Sequence, residues 1–135
     1  LSRNPAVRRA VVHARIESSV RFLGFVPFET LRVFYEAAEV FAFPSLYEGF
    51  GFPLVEAMAL GCPVICSPVA SLPEVGEKAA LFTELTPAAY LSAMKRLVAE
   101  GDLRRDLVQR GLAQARKFSW SNCAASIVEV YRRCL

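Results

Sequence analysis

The chain has 135 residues, 54% of them hydrophobic and 21% charged, which suits one domain with a core and excludes a disordered segment. No apolar run reaches the roughly 18–20 residues of a membrane span. With 16 basic against 13 acidic residues the net charge is +3, too mild to point to nucleic acid, whose binders cluster basic residues with aromatics. Arg8, Arg9, Arg104, Arg105, Arg132 and Arg133 are instead spread along helix-like stretches, mostly among acids. That pattern reads as solvated helix faces, with peripheral contact to an anionic membrane as the minority reading. The start, Leu1-Ser2-Arg3-Asn4-Pro5, lacks a Met and a signal-peptide pattern and reads as an internal cut in a longer protein.

Four cysteines, Cys62, Cys66, Cys123 and Cys134, and the single His13 have no zinc-ligand spacing. All four are read as reduced core thiols of a cytoplasmic protein. Nothing here has the makings of a Ser-His-Asp or Cys-His site.

In chain order, Pro5 to about Ile16 is a helix, with Pro at its first turn and Val7, Ala10, Val11 and Ala14 at helical spacing. Val20–Val26 is β-rich, ends at Pro27 and predicts a strand. Phe28–Ala38 predicts a helix with Leu31, Phe34, Tyr35 and Ala38 on one stripe. Val40–Phe43 is a short apolar strand of the kind buried on both faces of a parallel sheet. A Gly-containing loop follows, then a helix from Pro53 to Gly61 and a strand over Pro63–Cys66. Leu72–Val75 predicts a helical turn and Ala79–Phe82 a last strand. Thr86 caps a helix over Pro87–Ala99, and Gly101-Asp102 cap the next, Leu103–Lys117. Ser119 caps a final helix with Trp120, Cys123, Ile127 and Tyr131 on its stripe. Strands alternating with helices across short connections make an α/β, Rossmann-like, doubly wound parallel sheet within a single domain, 1–135. About four strands are few for such a sheet, so its first strand or strands are expected upstream of Leu1.

Ligands of open α/β sheets bind beyond the carboxyl ends of the strands, the place of the loop Ser45–Phe52. Gly49 and Gly51 let backbone approach a ligand. The first N–H groups of the following helix, from Leu54 and Val55, together with its dipole, predict an anion site suited to phosphate. Glu48 in the loop and Glu56 in the helix's first turn flank it. Taken singly, each acid has an ordinary explanation, a surface turn for Glu48 and a dipole contact for Glu56. The apolar Phe50, Phe52, Leu54 and Val55 argue that the loop is folded down and its acids are held, ready to accept hydrogen bonds from sugar hydroxyls.

These residues in this order resemble the C-terminal, donor-binding domain of retaining GT-B-fold glycosyltransferases of the family 4, group 1 type. The resemblance rests on Val20–Val26, Leu31–Phe43, Pro44-Ser45, and Glu48 and Glu56 separated by seven residues within Glu48-Gly49-Phe50-Gly51-Phe52-Pro53-Leu54-Val55-Glu56. It continues through Gly61-Cys62-Pro63-Val64-Ile65, Leu72-Pro73-Glu74-Val75 and Phe118-Ser119-Trp120, with mannosyltransferase-like members the nearest in the Leu-Pro-Glu-Val turn. The resemblance implies that Glu48 contacts the donor sugar near the reacting carbon. Gly49, Phe50 and Gly51 would offer backbone to sugar and diphosphate, and Leu54 and Val55 their amides to the diphosphate. Glu56 would bind the ribose, and Gly24, Phe25 and Val26 would bracket the base. It implies transfer of a hexosyl unit from a nucleoside-diphosphate sugar with retention, for glycan or glycolipid synthesis, with no cofactor and no metal. The acceptor glycan or lipid would be held by an N-terminal domain outside this chain, and the basic pair that grips the diphosphate would also lie upstream. The chain alone is then an inactive donor half-site, prone to self-associate along an open sheet edge. An epimerase or hydrolase on the same fold, and a non-catalytic nucleotide-sugar-binding or interaction module, are the alternative readings.

Overall fold

The structure, a computed structural model, describes residues 5–134; the reading of Leu1-Ser2-Arg3-Asn4 as an internal cut lies outside them. The chain divides into two compact units, residues 1–31 and 32–135.

In the first unit, helix α1 spans Pro5–His13 and a 3₁₀ turn spans Glu17–Ser19. The guanidinium of Arg8 lies 5.5 Å from the centre of the Phe22 ring. The expected strand over Val20–Val26 is not formed. Val20 is extended, at φ −115° and ψ 132°, but among the described residues the segment has no ladder partner. An extended chain becomes a strand only when a neighbour takes up its N–H and C=O groups. Helix α2, Phe28–Ala37, begins in this unit and ends in the second.

The second unit is built on three parallel strands, β1 (Phe41–Phe43), β2 (Val64–Cys66) and β3 (Ala80–Phe82), paired in the order β1-β2-β3. Phe43, Cys66 and Phe82 share a register, so the three carboxyl ends are level. β2, between two neighbours, is fully buried, and Val64, Ile65 and Cys66 are each 0% exposed. β1 has a partner on one side only among the described residues and is half-buried, against the expectation that it would be covered on both faces.

Helices α3 (Phe52–Ala59) and α4 (Leu72–Gly76) connect the strands, and α5 (Pro87–Ala99), α6 (Gly101–Ala115) and α7 (Trp120–Cys134) follow β3. Ile65 packs with Tyr90, Ala93, Leu97 and Leu107 of α5 and α6. Side chains alternate along a strand, so Val64 and Cys66 are left for the opposite side of the sheet; α3 also packs on β2, and α4 and α6 pack on α3. Helix α3 stops as expected at Gly61. With φ at +72°, Gly61 N–H bonds to Met58 O and Cys62 N–H to Ala57 O at 2.9 Å, the paired closing bonds of a Schellman end. Thr86 caps α5 by accepting from Ala89 N at 3.2 Å, and Ser119 Oγ accepts from Asn122 N at the start of α7.

Three expectations are corrected. Asp102 does not cap α6, which starts at Gly101 after Glu100; it lies in the first turn, where the dipole favours an acid, and pairs with Arg105. Of the cysteines only Cys62 and Cys66 are core thiols; Cys123 and Cys134 are exposed. The stripe on α7 is likewise exposed, with Trp120, Ile127 and Tyr131 all open to solvent. A helical period shows that a helix has an apolar face, not that something in the same chain covers it.

Two outcomes follow from this packing. Burial pushes the Cys62 thiol up to about 11 and the Cys66 thiol to about 12. A thiol-specific alkylating reagent at pH 8 is therefore expected to label Cys123 and Cys134 promptly and to reach Cys62 and Cys66 only on unfolding; labelling of all four at one rate would contradict the core position of β2. Gly51 is buried at φ +98°, and a Cβ there would come within 2.6 Å of Leu72 Cδ2, a side chain that is itself 0% exposed. Gly51→Ala is expected to lower unfolding free energy by roughly 2–4 kcal/mol, combining left-handed strain and overpacking, read from a denaturant midpoint.

Candidate functional site

The loop from Ser45 to Gly51 leaves the carboxyl end of β1 and delivers the chain into α3. Its shape is set by hydroxyls. Ser67, 0% exposed and next after β2, donates to the carbonyl of Ser45, next but one after β1, at 2.5 Å. Ser45 Oγ in turn lies 2.5 Å from Glu48 Oε1, the short distance of a hydroxyl donating to a charged carboxylate. Ser71 Oγ lies 3.1 Å from the carbonyl of Glu48 and 3.0 Å from that of Phe50. Beneath the loop, Tyr90 donates to Phe43 O at 3.1 Å. The Phe50 ring is wedged between Phe52, at 4.9 Å, and Phe118, edge-on at 5.5 Å. The loop is therefore folded down, as the run of apolar residues predicts, and of the two acids Glu48 is held, by Ser45.

The electrostatics separate Glu48 and Glu56 from the rest of the chain. Most acids pair with a cation on the surface: Glu36, Glu39, Glu77, Glu100, Asp102, Asp106 and Glu129. Glu17, Glu29, Glu74 and Glu84 are exposed. Glu48 and Glu56 alone among the described acids are half-buried without a cationic partner. Removing a carboxylate from water without pairing it is costly, and the cost is recovered where a ligand donates to it. Ser45 is the one protein hydrogen-bond donor to Glu48 among the described residues, and none donates to Glu56. Glu56 acts on Tyr35, whose hydroxyl is raised to about 12, first by burial and then by the Glu56 charge.

Two assignments on the helix are corrected. Because α3 starts at Phe52, Glu56 opens the second turn and no acid lies in the first. The amides of Leu54 and Val55 are not free: both donate to the Gly51 carbonyl, at 3.0 and 3.4 Å. Pro53 has no N–H, so the donors left without a protein acceptor at this helix start are those of Gly51 and Phe52 among the described residues. Gly51 itself is a packing and conformational requirement rather than a site of clearance for phosphate, whereas Gly49 is exposed with nothing within 4 Å of a built Cβ. Gly24, Phe25 and Val26 belong to the other unit; Gly24 has φ +68° and the Phe25 ring is 94% exposed.

The serines are what sequence reading missed. Ser45 entered only as the first residue of the loop and in a Pro-Ser pair, with no role of its own, and Ser67 and Ser71 not at all. The available signal was positional: short hydroxyl residues just beyond the carboxyl ends of β1 and β2.

Comparisons with known proteins bear on this arrangement. Residues 2–100 match the family described as glycosyl transferases group 1. The chain is 44% identical over 117 residues to O-antigen chain mannosyltransferase B of Escherichia coli, covering 86% of this chain and 31% of that protein. It is 34% identical to the MMP alpha-(1->4)-mannosyltransferase of Mycolicibacterium hassiacum, covering 100% of this chain and 34% of that one. It thus spans about a third of the length of these two relatives. Among solved structures, the sucrose-phosphate synthase of Thermosynechococcus elongatus superposes with a TM-score of 0.83 at 32% identity, over 95% of this chain and 33% of that one. The C-terminal domain of a glycosyl transferase group 1 protein of Francisella tularensis has a TM-score of 0.67 over 83% of this chain, and at 24% identity it speaks for the fold. With the parallel sheet, the folded Glu48 loop and the match over residues 2–100, the chain belongs to the glycosyl transferases group 1 family and has the α/β fold of a GT-B glycosyltransferase domain.

Proposed function

We propose that this chain is the donor-binding part of a retaining glycosyltransferase that takes a hexosyl unit, mannose foremost, from a nucleoside-diphosphate sugar. The carrying observation is the pair of half-buried carboxylates without cations, Glu48 in the loop beyond the carboxyl end of β1 and Glu56 in the second turn of α3. The mannosyltransferase names of the relatives in Escherichia coli and Mycolicibacterium hassiacum support the sugar.

In this reading each group has one task. Glu48 is held at Oε1 by Ser45, and its remaining lone pairs accept hydroxyls of the donor sugar beside the carbon that reacts. Glu56 accepts the ribose hydroxyls. The protonated Tyr35 beside it adds no competing charge. The amides of Gly49, Gly51 and Phe52 and the positive end of the α3 dipole meet the diphosphate, whose charge grows as the glycosidic bond breaks. Preorganised amides are effective here because they need no reorientation at that moment. The step needs no metal, and the acceptor, a glycan or lipid, is held by a part of the protein outside this chain. Among the described residues no helix is long and apolar enough to cross a membrane.

The test uses the whole protein that carries this chain. Glu48→Ala is expected to lower kcat for hexosyl transfer by about 10²-fold while nucleoside diphosphate binding changes little, as for loss of a group that acts mainly in the transition state. Glu56→Ala is expected to weaken nucleoside diphosphate binding by roughly 10- to 100-fold, the loss of a charge-assisted hydrogen bond. Unchanged nucleotide affinity in Glu56→Ala removes the ribose role. NMR shifts centred on Arg104 or Arg132 instead of residues 48–56 put the site on the wrong face and overturn the reading.

A further inference from the structure

Ser71 stands at the N-cap position of α4, where a serine hydroxyl ordinarily accepts from the helix's own free amides. It makes no such bond. Its hydroxyl is spent instead on the loop more than twenty residues earlier, between the carbonyls of Glu48, at 3.1 Å, and Phe50, at 3.0 Å. A hydroxyl has one proton, so this is a single three-centre bond shared by two acceptors. The residue before it, Ala70, has φ +48°, a left-handed conformation that is strained for a residue with a Cβ. A strained backbone and a forgone cap thus both accompany the placement of this one hydroxyl.

The consequence lies on the far side of the loop. Every peptide bond described here is trans, and in a planar trans peptide the N–H points opposite to the C=O. The Glu48 carbonyl shares its peptide with the Gly49 N–H, and the Phe50 carbonyl shares its peptide with the Gly51 N–H. Turning both carbonyls towards Ser71 turns both amides away from it, to one side. Neither amide has a protein acceptor among the described residues.

We propose that Ser71 is a positioning residue: by holding the carbonyls of Glu48 and Phe50 it presents the Gly49 and Gly51 amides together as donors to the oxygens of the bound sugar diphosphate. The proposal rests on the donor-site reading above. Ser71 touches no substrate and acts through the loop.

The test is a titration of this chain by ¹⁵N NMR, with GDP-mannose and UDP-glucose as probes at millimolar concentration. In the wild type a probe is expected to shift the Gly49 and Gly51 amides saturably. Ser71→Ala is expected to weaken that binding about 3- to 10-fold, the worth of one hydrogen bond, and to move the ligand-free amides of residues 48–51 while those of α5 and α6 stay in place. Ser71→Thr, which keeps the hydroxyl, is expected to restore both the affinity and the amide positions. Should Ser71→Ala not fold, Ser71→Cys, with its weak S–H donor, carries the same expectation. Equal affinity in wild type and Ser71→Ala, or lost affinity that Thr does not restore, overturns the role of Ser71 and leaves the donor site standing. A wild type in which neither probe shifts residues 48–56 overturns the donor reading and this proposal with it.

Discussion

The hydrogen bond from the Ser67 hydroxyl to the Ser45 carbonyl is the constraint on which the site depends. Ser67 has no exposed surface, and a buried hydroxyl without a partner would cost roughly 1–3 kcal/mol, so the loop after β1 is obliged to stay where it can accept. That bond joins the carboxyl ends of two strands already level by register. From there the chain of hydroxyls runs outward: Ser45 to the Glu48 carboxylate, Ser71 to the two carbonyls on either side of Gly49. Strand β2 supplies the rigid base, because its residues are packed against helices on both sides and cannot yield.

The charges divide into two populations with different physics. The ion pairs of α5, α6 and α7, such as Arg96–Glu100, Arg110–Asp106 and Arg133–Glu129, join half-exposed side chains and contribute little stability each in water. They occupy Arg96, Arg110 and Arg133 with acids four residues away on the same surface. Glu48 and Glu56 carry the other kind of charge, partly withdrawn from water without a cation, with the Ser45 hydroxyl donating to Glu48. Such an arrangement suits a neutral ligand rich in hydroxyls better than a cationic one, which agrees with a sugar and a ribose as the groups they face.

The family match ends at residue 100, at the junction of α5 and α6. Helix α6 is nonetheless part of the core: Gln114 donates to the Val75 carbonyl at 3.0 Å and Leu107 packs against Ile65. Helix α7 is different in kind, with an apolar stripe and no buried residue. The relatives are about three times as long as this chain.

Much of this protein was legible in residue order. Proline and glycine punctuation located α3 between Pro53 and Gly61, Thr86 and Ser119 marked two helix starts, and the apolar runs located all three strands of the sheet, because caps, turns and alternation act within a few residues. The spacing of Glu48 and Glu56 and the glycines between them likewise pointed to the family. The sequence could not decide matters that depend on distant neighbours. Val20–Val26 has strand composition, yet without a ladder partner it forms no strand. Cys123 and Trp120 have the spacing of a buried stripe, yet nothing in the described chain covers them. Leu54 and Val55 looked like free amides until the position of Gly51 as N-cap committed both to its carbonyl. That Glu48 and Glu56 are the two half-buried acids without a cation, and that Ser45, Ser67 and Ser71 hold the loop between them, was settled by the tertiary structure alone. Burial and hydrogen bonding across more than twenty residues are properties of the packed sheet edge, not of any segment within it.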